Sequence, residues 1–259
     1  MSLYGRLFAA GYDRVMAQTE ESGLRDRREA LLAPLSGRVI EIGGGTGANL
    51  PLYPPAVSEL VTCEPEEPMA RRLEAKLERA NVPVRVVRTP AESLPFDDAS
   101  FDAVLSTFGV MFVADHQRAA AELSRVTRRG GRIGMANWTP EGFIGQVFKT
   151  LGKHLAPPAG AKSPALWGTQ AWLDELFGKT SVVHAVQRYF TFRYRSPEHF
   201  IEVFRTWYGP VLKAFGALDA KGQAALHDDL VALIARFNRS GDSAMVVPAE
   251  YLEVVVTRN

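Results

Sequence analysis

Val39-Ile40-Glu41-Ile42-Gly43-Gly44-Gly45-Thr46-Gly47 decides the fold of this chain. Val39, Ile40 and Ile42 read as a short buried strand, because β-branched residues in an unbroken run suit a strand covered on both faces. The strand runs straight into a turn with glycine at 43, 45 and 47. Glycine adopts positive φ without strain and lets backbone N–H groups approach a ligand with no side chain between. Glu41 stands two positions before the first glycine, and Asn49 and Leu50 open toward a helix. A strand, a glycine-rich turn and a helix in that order build a nucleotide-type cofactor loop. The looser dinucleotide spacing is also met, through Gly43, Gly45 and Ala48, and is weak alone. A turn that binds nothing is the plain alternative. Three glycines at alternate positions argue against it, since they cost local order without a ligand to use them.

Outward from this stretch, strands and helices alternate. Strands are expected at 38–42, 59–63, 84–87, 101–106 and 132–137. Between them, Pro68 starts a helix carrying Met69, Leu73 and Leu77, and Asp115 caps a helix running to Val126. Such alternation predicts βαβ units and a parallel sheet. Past residue 150 the pattern changes. A Pro/Gly loop covers 155–165, a helix 168–177 and extended chain 181–194. Ser196-Pro197 opens a helix, a longer one spans about 220–238, and a last strand falls at 251–257. The N-terminal stretch carries Leu3, Tyr4, Leu7, Phe8, Tyr12, Val15 and Met16 at helical spacing, and a second helix is expected at 22–34.

Composition narrows the class. The 259 residues are 46% hydrophobic and 23% charged, with a net charge of +1. That balance gives no basic face for nucleic acid. The single Cys63 excludes an intrachain disulfide and gives no zinc pattern, and no two histidines share metal-ligand spacing, so no metal site is expected. No apolar run reaches the roughly 18–20 residues that cross a membrane. Arg6, Asp13 and Arg14 interrupt the apolar N-terminal pattern, unlike a signal peptide. The reading predicts a cytoplasmic protein.

Glu64 ends the second strand, 17 residues after Gly47, where a carboxylate accepts both ribose hydroxyls of an adenosine ligand. Further on stand Ala91-Glu92-Ser93-Leu94-Pro95-Phe96, then Ser100-Phe101-Asp102-Ala103-Val104, then a helix leading into Arg125-Val126-Thr127-Arg128-Arg129-Gly130-Gly131-Arg132-Ile133. In this order the motifs resemble the class I S-adenosylmethionine-dependent methyltransferases. The nearest branch is type 11, which includes the ubiquinone and menaquinone C-methyltransferases. The resemblance spans about residues 36–150. It implies a Rossmann-like seven-stranded, mostly parallel α/β sheet with helices on both faces, an antiparallel last strand and a helical insertion before that strand. It also implies S-adenosylmethionine as methyl donor and S-adenosylhomocysteine as product. Glu41, Gly43, Gly45, Gly47 and Asn49 would hold the methionine part, with Glu41 orienting the loop or reaching the amino group. Glu64 with Pro65 would hold the ribose. Ala91, through its backbone, and the Glu92 side chain would read the adenine edge. Ser106 and Thr107 would face the methionine part and the methyl. Met69 either flanks the adenine or belongs to the core. Two departures stand out: Pro90 replaces the usual acidic residue before Ala91, and Arg129 replaces the proline before the glycine pair.

The organisation expected is an N-terminal helical cap (1–35), a cofactor-binding core (36–154), a segment of loop, helix and sixth strand (155–195), a helical lid (196–240) and a terminal strand (241–259). Phe108, Met111, Phe112 and Trp138, past strands four and five, are candidates for an acceptor pocket. Phe8, Phe204 and Trp207 join them from the cap and lid, although the helical spacing at 200, 203, 204 and 207 favours an ordinary core under the lid helices. His116 is the candidate general base, its plain alternative being a solvated first-turn residue, and Tyr12 the candidate neighbour of the sulfonium or a packing residue. The expected partner is a small apolar or aromatic methyl acceptor on a monomer or homodimer, with no nucleic acid and no membrane. Two other readings remain. An NAD-dependent oxidoreductase shares the loop and Glu64, but no Tyr-x-x-x-Lys constellation is seen. A protein that binds S-adenosylmethionine for regulation or another reaction would bind without turnover.

Overall fold

The computed structural model describes residues 23–179 and 181–259. Tyr4, Phe8 and Tyr12, expected on the N-terminal helix, lie outside the described residues. Strands β1 (Gly37–Ile42), β2 (Val57–Cys63), β3 (Val84–Val87), β4 (Phe101–Thr107), β5 (Thr127–Trp138), β6 (Ser181–Tyr194) and β7 (Met245–Arg258) form one sheet in the order β3-β2-β1-β4-β5-β7-β6. The pairs among β1 to β5 are parallel, whereas β7 is antiparallel to both β5 and β6. This is the Rossmann-like sheet with a reversed last strand. The chain goes from β1 outward to β2 and β3, then returns to place β4 on the other side of β1. At such a switch point two loops diverge and leave a crevice at the strands' carboxyl ends.

The described helices are α1 (Arg25–Leu32), α2 (Glu67–Glu74), α3 (His116–Val126), α4 (Phe143–His154), α5 (Gln170–Phe177), α6 (Pro197–Trp207), α7 (Gly209–Ala217) and α8 (Ala220–Phe237). Asp115, Thr169, Ser196 and Asp219 each stand at an N-cap and accept a backbone N–H from the first turn of α3, α5, α6 and α8. Each cap satisfies a donor the helix cannot, stabilising it by about 1 kcal/mol. One core layer joins α1 and α2 to the sheet through Leu32, Val39, Leu50, Leu60 and Leu73. The other lies across the sheet and holds Ile40, Val104, Leu123, Trp167 and Leu233.

Three expectations are corrected. β5 begins at Thr127, not 132, because the Gly130-Gly131 turn forms a register shift inside the strand rather than ending it. β7 begins at Met245, not 251, pairing along all 14 residues of β6. Helices α4 and α7 were not expected; their glycines (Gly145, Gly152, Gly209, Gly216) weaken the local helix signal that packing restores. Among the described residues no helix is long and apolar enough to cross a membrane.

Candidate active site

The crevice forms where the β1 loop crosses the loop after β4. A Cβ on Gly43, at φ +72°, would lie 2.9 Å from the Gly109 Cα, so the two backbones touch. Gly45, at φ +57°, behaves differently: a Cβ built there meets nothing within 4 Å. The turn therefore presents one open face of bare backbone, a cradle for a ligand. The Gly45 N–H donates to Glu64 Oε2 at 2.8 Å, and the Glu66 N–H to Glu64 Oε1 at 2.9 Å. Glu64 is thus oriented from both sides, with a second lone pair free on each oxygen. Burial pushes its carboxyl above the usual range, partly offset by those two N–H groups.

Glu41 points into the layer beneath α1. It accepts from Asn49 Nδ2 at 2.5 Å and from the Tyr53 hydroxyl at 3.1 Å. Arg28 of α1 donates to Asn49 Oδ1 at 3.1 Å and to Thr107 Oγ1 at 3.0 Å. All but Thr107 are buried. Burial raises the Glu41 carboxyl, and the Asn49 and Tyr53 hydrogen bonds work against it. Of the two roles expected for Glu41, this geometry gives the first: through Asn49 it braces the loop. Arg28 and Tyr53, which tie α1 and the loop to that brace, were missed. A lone arginine in a polar helix and a tyrosine past the glycines carry no local signal of burial.

The structure gives several expected residues other work. Ser106 is fully buried and donates to the Ile42 carbonyl at 2.9 Å, while accepting the Val110 N–H, so its hydroxyl braces the two loops. The Glu92 carboxylate accepts the Ala114 N–H at 2.9 Å, tying its loop to the segment before α3. Met111 is fully buried, so it packs in the core rather than walling a pocket. His116 is 2% exposed, and its Nδ1 accepts from Trp172 Nε1 at 3.2 Å. Burial, helped by Lys162, holds its imidazole below the ordinary value. Its accepting nitrogen is thus engaged inside the protein, and no base role follows from this position. Ala91 is buried, Met69 half-buried and Pro65 exposed.

Beyond Thr107 the site turns aromatic. Phe108, a non-glycine residue at φ +59°, donates its N–H to the Ala136 carbonyl at 2.9 Å. That left-handed conformation costs about 1–2 kcal/mol, and such strain is characteristic of functional positions. Its ring stacks on Trp138 at 4.3 Å and meets Tyr251 edge-on at 5.6 Å. Trp138 leads to Phe192 at 6.0 Å and Phe192 to Phe204 at 5.7 Å. Phe204 continues to Tyr208 at 4.8 Å, Tyr208 to Phe148 at 6.4 Å and Phe148 to Phe112 at 5.9 Å. Phe112 is 43% exposed. Trp207 is half-buried on the last turn of α6. Phe148 and Tyr251 were not foreseen in this role, since they come from a helix and a strand far apart in the chain. Among the described residues no cluster of His, Cys, Asp or Glu could hold a metal ion.

A family profile described as a methyltransferase domain matches residues 40–135, from β1 through most of β5. The chain is 36% identical over 206 residues to an uncharacterised protein of Mycobacterium tuberculosis, covering 73% of this chain and 75% of that one. It is 32% identical over 159 residues to the demethylmenaquinone methyltransferase of Thermus thermophilus, covering 59% of this chain and 72% of that one. The YcgJ protein of Bacillus subtilis shares the fold, with a TM-score of 0.57 and 18% identity over 86% of this chain and 93% of that one. The chain belongs to the class I S-adenosylmethionine-dependent methyltransferases. Its cofactor is S-adenosylmethionine, and the bare Gly45 face beside an oriented Glu64 fits that ligand.

Proposed function

We propose that this chain transfers a methyl group to a small apolar or aromatic molecule held at the carboxyl ends of β4 and β5. The observation that carries the reading is the run of packed rings from Phe108 through Trp138 and Phe192 to Phe204, buried except at half-buried Phe108, which begins one residue beyond Thr107. An apolar acceptor laid against the Phe108 end of that run displaces water from the reacting atoms.

S-adenosylmethionine supplies a methyl already activated on a sulfonium. The chain's task is therefore to hold two molecules in line rather than to create a nucleophile. In this reading Glu64 accepts the ribose hydroxyls and the bare Gly45 backbone receives the methionine part. The Ala91 backbone reads the adenine edge, with Met69 and Pro65 beside it. Thr107, fixed by Arg28, borders the methyl. Helices α6 to α8 form the lid that brings Phe204 toward the acceptor side. Phe112, on the single turn Val110–Phe112, and Trp207 line the outer part of the pocket.

The test is calorimetric titration with S-adenosylhomocysteine, NADH serving as control, followed by a methyl-transfer assay over a panel of small apolar acceptors. Micromolar binding of S-adenosylhomocysteine alone, with turnover on ring-bearing acceptors, is expected. Binding without turnover on any acceptor would favour a regulatory role, and turnover only on hydrophilic acceptors would remove the aromatic assignment.

A further inference from the structure

The proposed acceptor site has a second wall, on the α1 side of the sheet. A shallow, open cleft lies between α1 and the ends of β4, β5 and β7. Leu24 and Leu31 from α1, with Phe108 and Ala136 from the strand ends, give it an apolar body. Thr107, placed at the methyl, lines the same cleft.

The charges around this cleft are unequal. From α1 come two guanidinium groups, Arg27 and Arg28. Arg28 is buried and fixed by Asn49 and Thr107. Arg27 is exposed and forms no ion pair among the described residues. From β7 come Tyr251 and Glu253. Glu253 is held by Arg188 of β6 at 3.2 Å, so its charge is matched by a third guanidinium. Glu41 of β1 lies behind Arg28, buried and bound to Asn49 and Tyr53. Tyr251 is buried, which pushes its phenol up and leaves it a neutral donor; among the described residues its hydroxyl has no hydrogen-bond partner. The cleft therefore offers cations and a hydroxyl donor around an apolar body, and no free carboxylate to receive a proton or hold an ammonium.

We propose that the acceptor is a small aromatic molecule with an acidic hydroxyl, bound and methylated as its phenolate, with Arg27 selecting the anion. This rests on the methyltransferase reading above and names its substrate class. The phenol's proton leaves to solvent as the ring binds, because nearby guanidinium groups favour the ionised form. The phenolate oxygen then forms a bond to the methyl carbon while the carbon–sulfur bond breaks. That electron pair stays on sulfur, so anion and sulfonium become a neutral ether and a neutral thioether. Such charge cancellation suits a water-poor cleft and needs no general base, in keeping with His116 being engaged elsewhere. A protonated amine would meet the same guanidinium groups as repulsion.

The test uses the full chain and 4-nitrophenol, whose absorbance reports its own ionisation, against 4-nitroaniline as the neutral isostere. Titrations are run with and without saturating S-adenosylhomocysteine. Phenolate binding about tenfold tighter than the aniline is expected, with the bound phenol ionising at lower pH than the free one. Arg27→Gln should remove most of that preference and Arg27→Lys should restore it. Arg27 is exposed and forms no ion pair among the described residues, so neither change removes a contact the described fold relies on. Equal binding of the two probes, or preference for the aniline, would overturn the proposal. So would an Arg27→Gln variant that loses S-adenosylhomocysteine affinity but keeps the probe preference, because the guanidinium would then serve the cofactor's carboxylate. Failure of S-adenosylhomocysteine to bind the unaltered chain would instead sink the methyltransferase reading, while the probe preference measured without it still judges the cleft.

Discussion

The two halves of the sheet are organised by opposite means. In the half made of β3, β2, β1 and β4, the crevice is shaped by backbone: the Gly45 face, the crossing of Gly43 with Gly109, and Glu64 pinned by two N–H groups. In the half made of β5, β7 and β6, the structure is built from rings carried on long paired strands and the helices between them. Backbone contacts tolerate almost no added atom. Loss of one ring from a packed run leaves a cavity and lowers stability without filling any ligand's space. Mutations should therefore separate cofactor binding from fold stability in the first half and from acceptor preference in the second.

The largest expected effect is in the glycine loop. Gly45→Val should abolish S-adenosylhomocysteine binding in calorimetry, because the new side chain fills the ligand's space. The fold should survive, losing about 1–2 kcal/mol for a β-branched residue at positive φ. Gly43→Ala should do the reverse of that division, since its Cβ strikes the Gly109 backbone and lowers the melting temperature first. Near-native affinity in Gly45→Val would refute the loop's placement.

Next, Phe204→Ala should cost about 3–5 kcal/mol in denaturant unfolding, the price of a cavity among Phe192, Phe200 and Tyr208. Affinity for S-adenosylhomocysteine should stay within about twofold, as expected for separated sites. A collapse of cofactor affinity in this variant would show that the two halves are not independent. Glu64→Ala should weaken S-adenosylhomocysteine binding by about 1–3 kcal/mol, the cost of a lost charged hydrogen-bond partner. Unchanged affinity would dismiss the ribose assignment.

A pH effect comes from His116, which sits under the second half. Its folded-state pKa lies below the ordinary imidazole value, chiefly through burial and secondly through Lys162. The unfolded chain then binds a proton that the folded chain refuses, so stability rises with pH across that interval. Its contribution is present above the unfolded imidazole value of about 6.5 and is lost as pH falls toward the folded one. Urea midpoints of the unaltered chain should fall on acidification through this window, and His116→Phe should flatten the fall.

The same division explains what could be read from the sequence. The glycine loop, Glu64, the cap of α3 and the positions of the first strands are local in the chain, so residue type and spacing reveal them. The buried brace of Arg28, Asn49, Glu41 and Tyr53 was half legible: Glu41 and Asn49 flank the loop, whereas Arg28 reaches it across 21 residues. Ser106 was placed on the correct strand but given to the ligand, because sequence cannot tell a hydroxyl that braces a carbonyl from one that faces a cleft. The aromatic surface was least legible. Phe108, Trp138, Phe192 and Tyr251 meet only after β7 inserts between β5 and β6. Their composition announced an apolar region without saying which rings touch.

The smallest expected effect on the fold gives the cleanest reading of the acceptor half. Phe112 is 43% exposed and meets the ring run edge-on, through Phe148. Phe112→Ala should change stability by no more than about 0.5 kcal/mol, as for surface positions generally. It should leave S-adenosylhomocysteine affinity intact. If the outer pocket lies there, KM for a ring-bearing acceptor should rise several-fold while kcat with saturating acceptor holds, because a contact made equally in ground and transition states is lost. A fall in kcat with KM unchanged would instead place Phe112 at the reacting atoms, and move the acceptor inward from the rim toward Thr107.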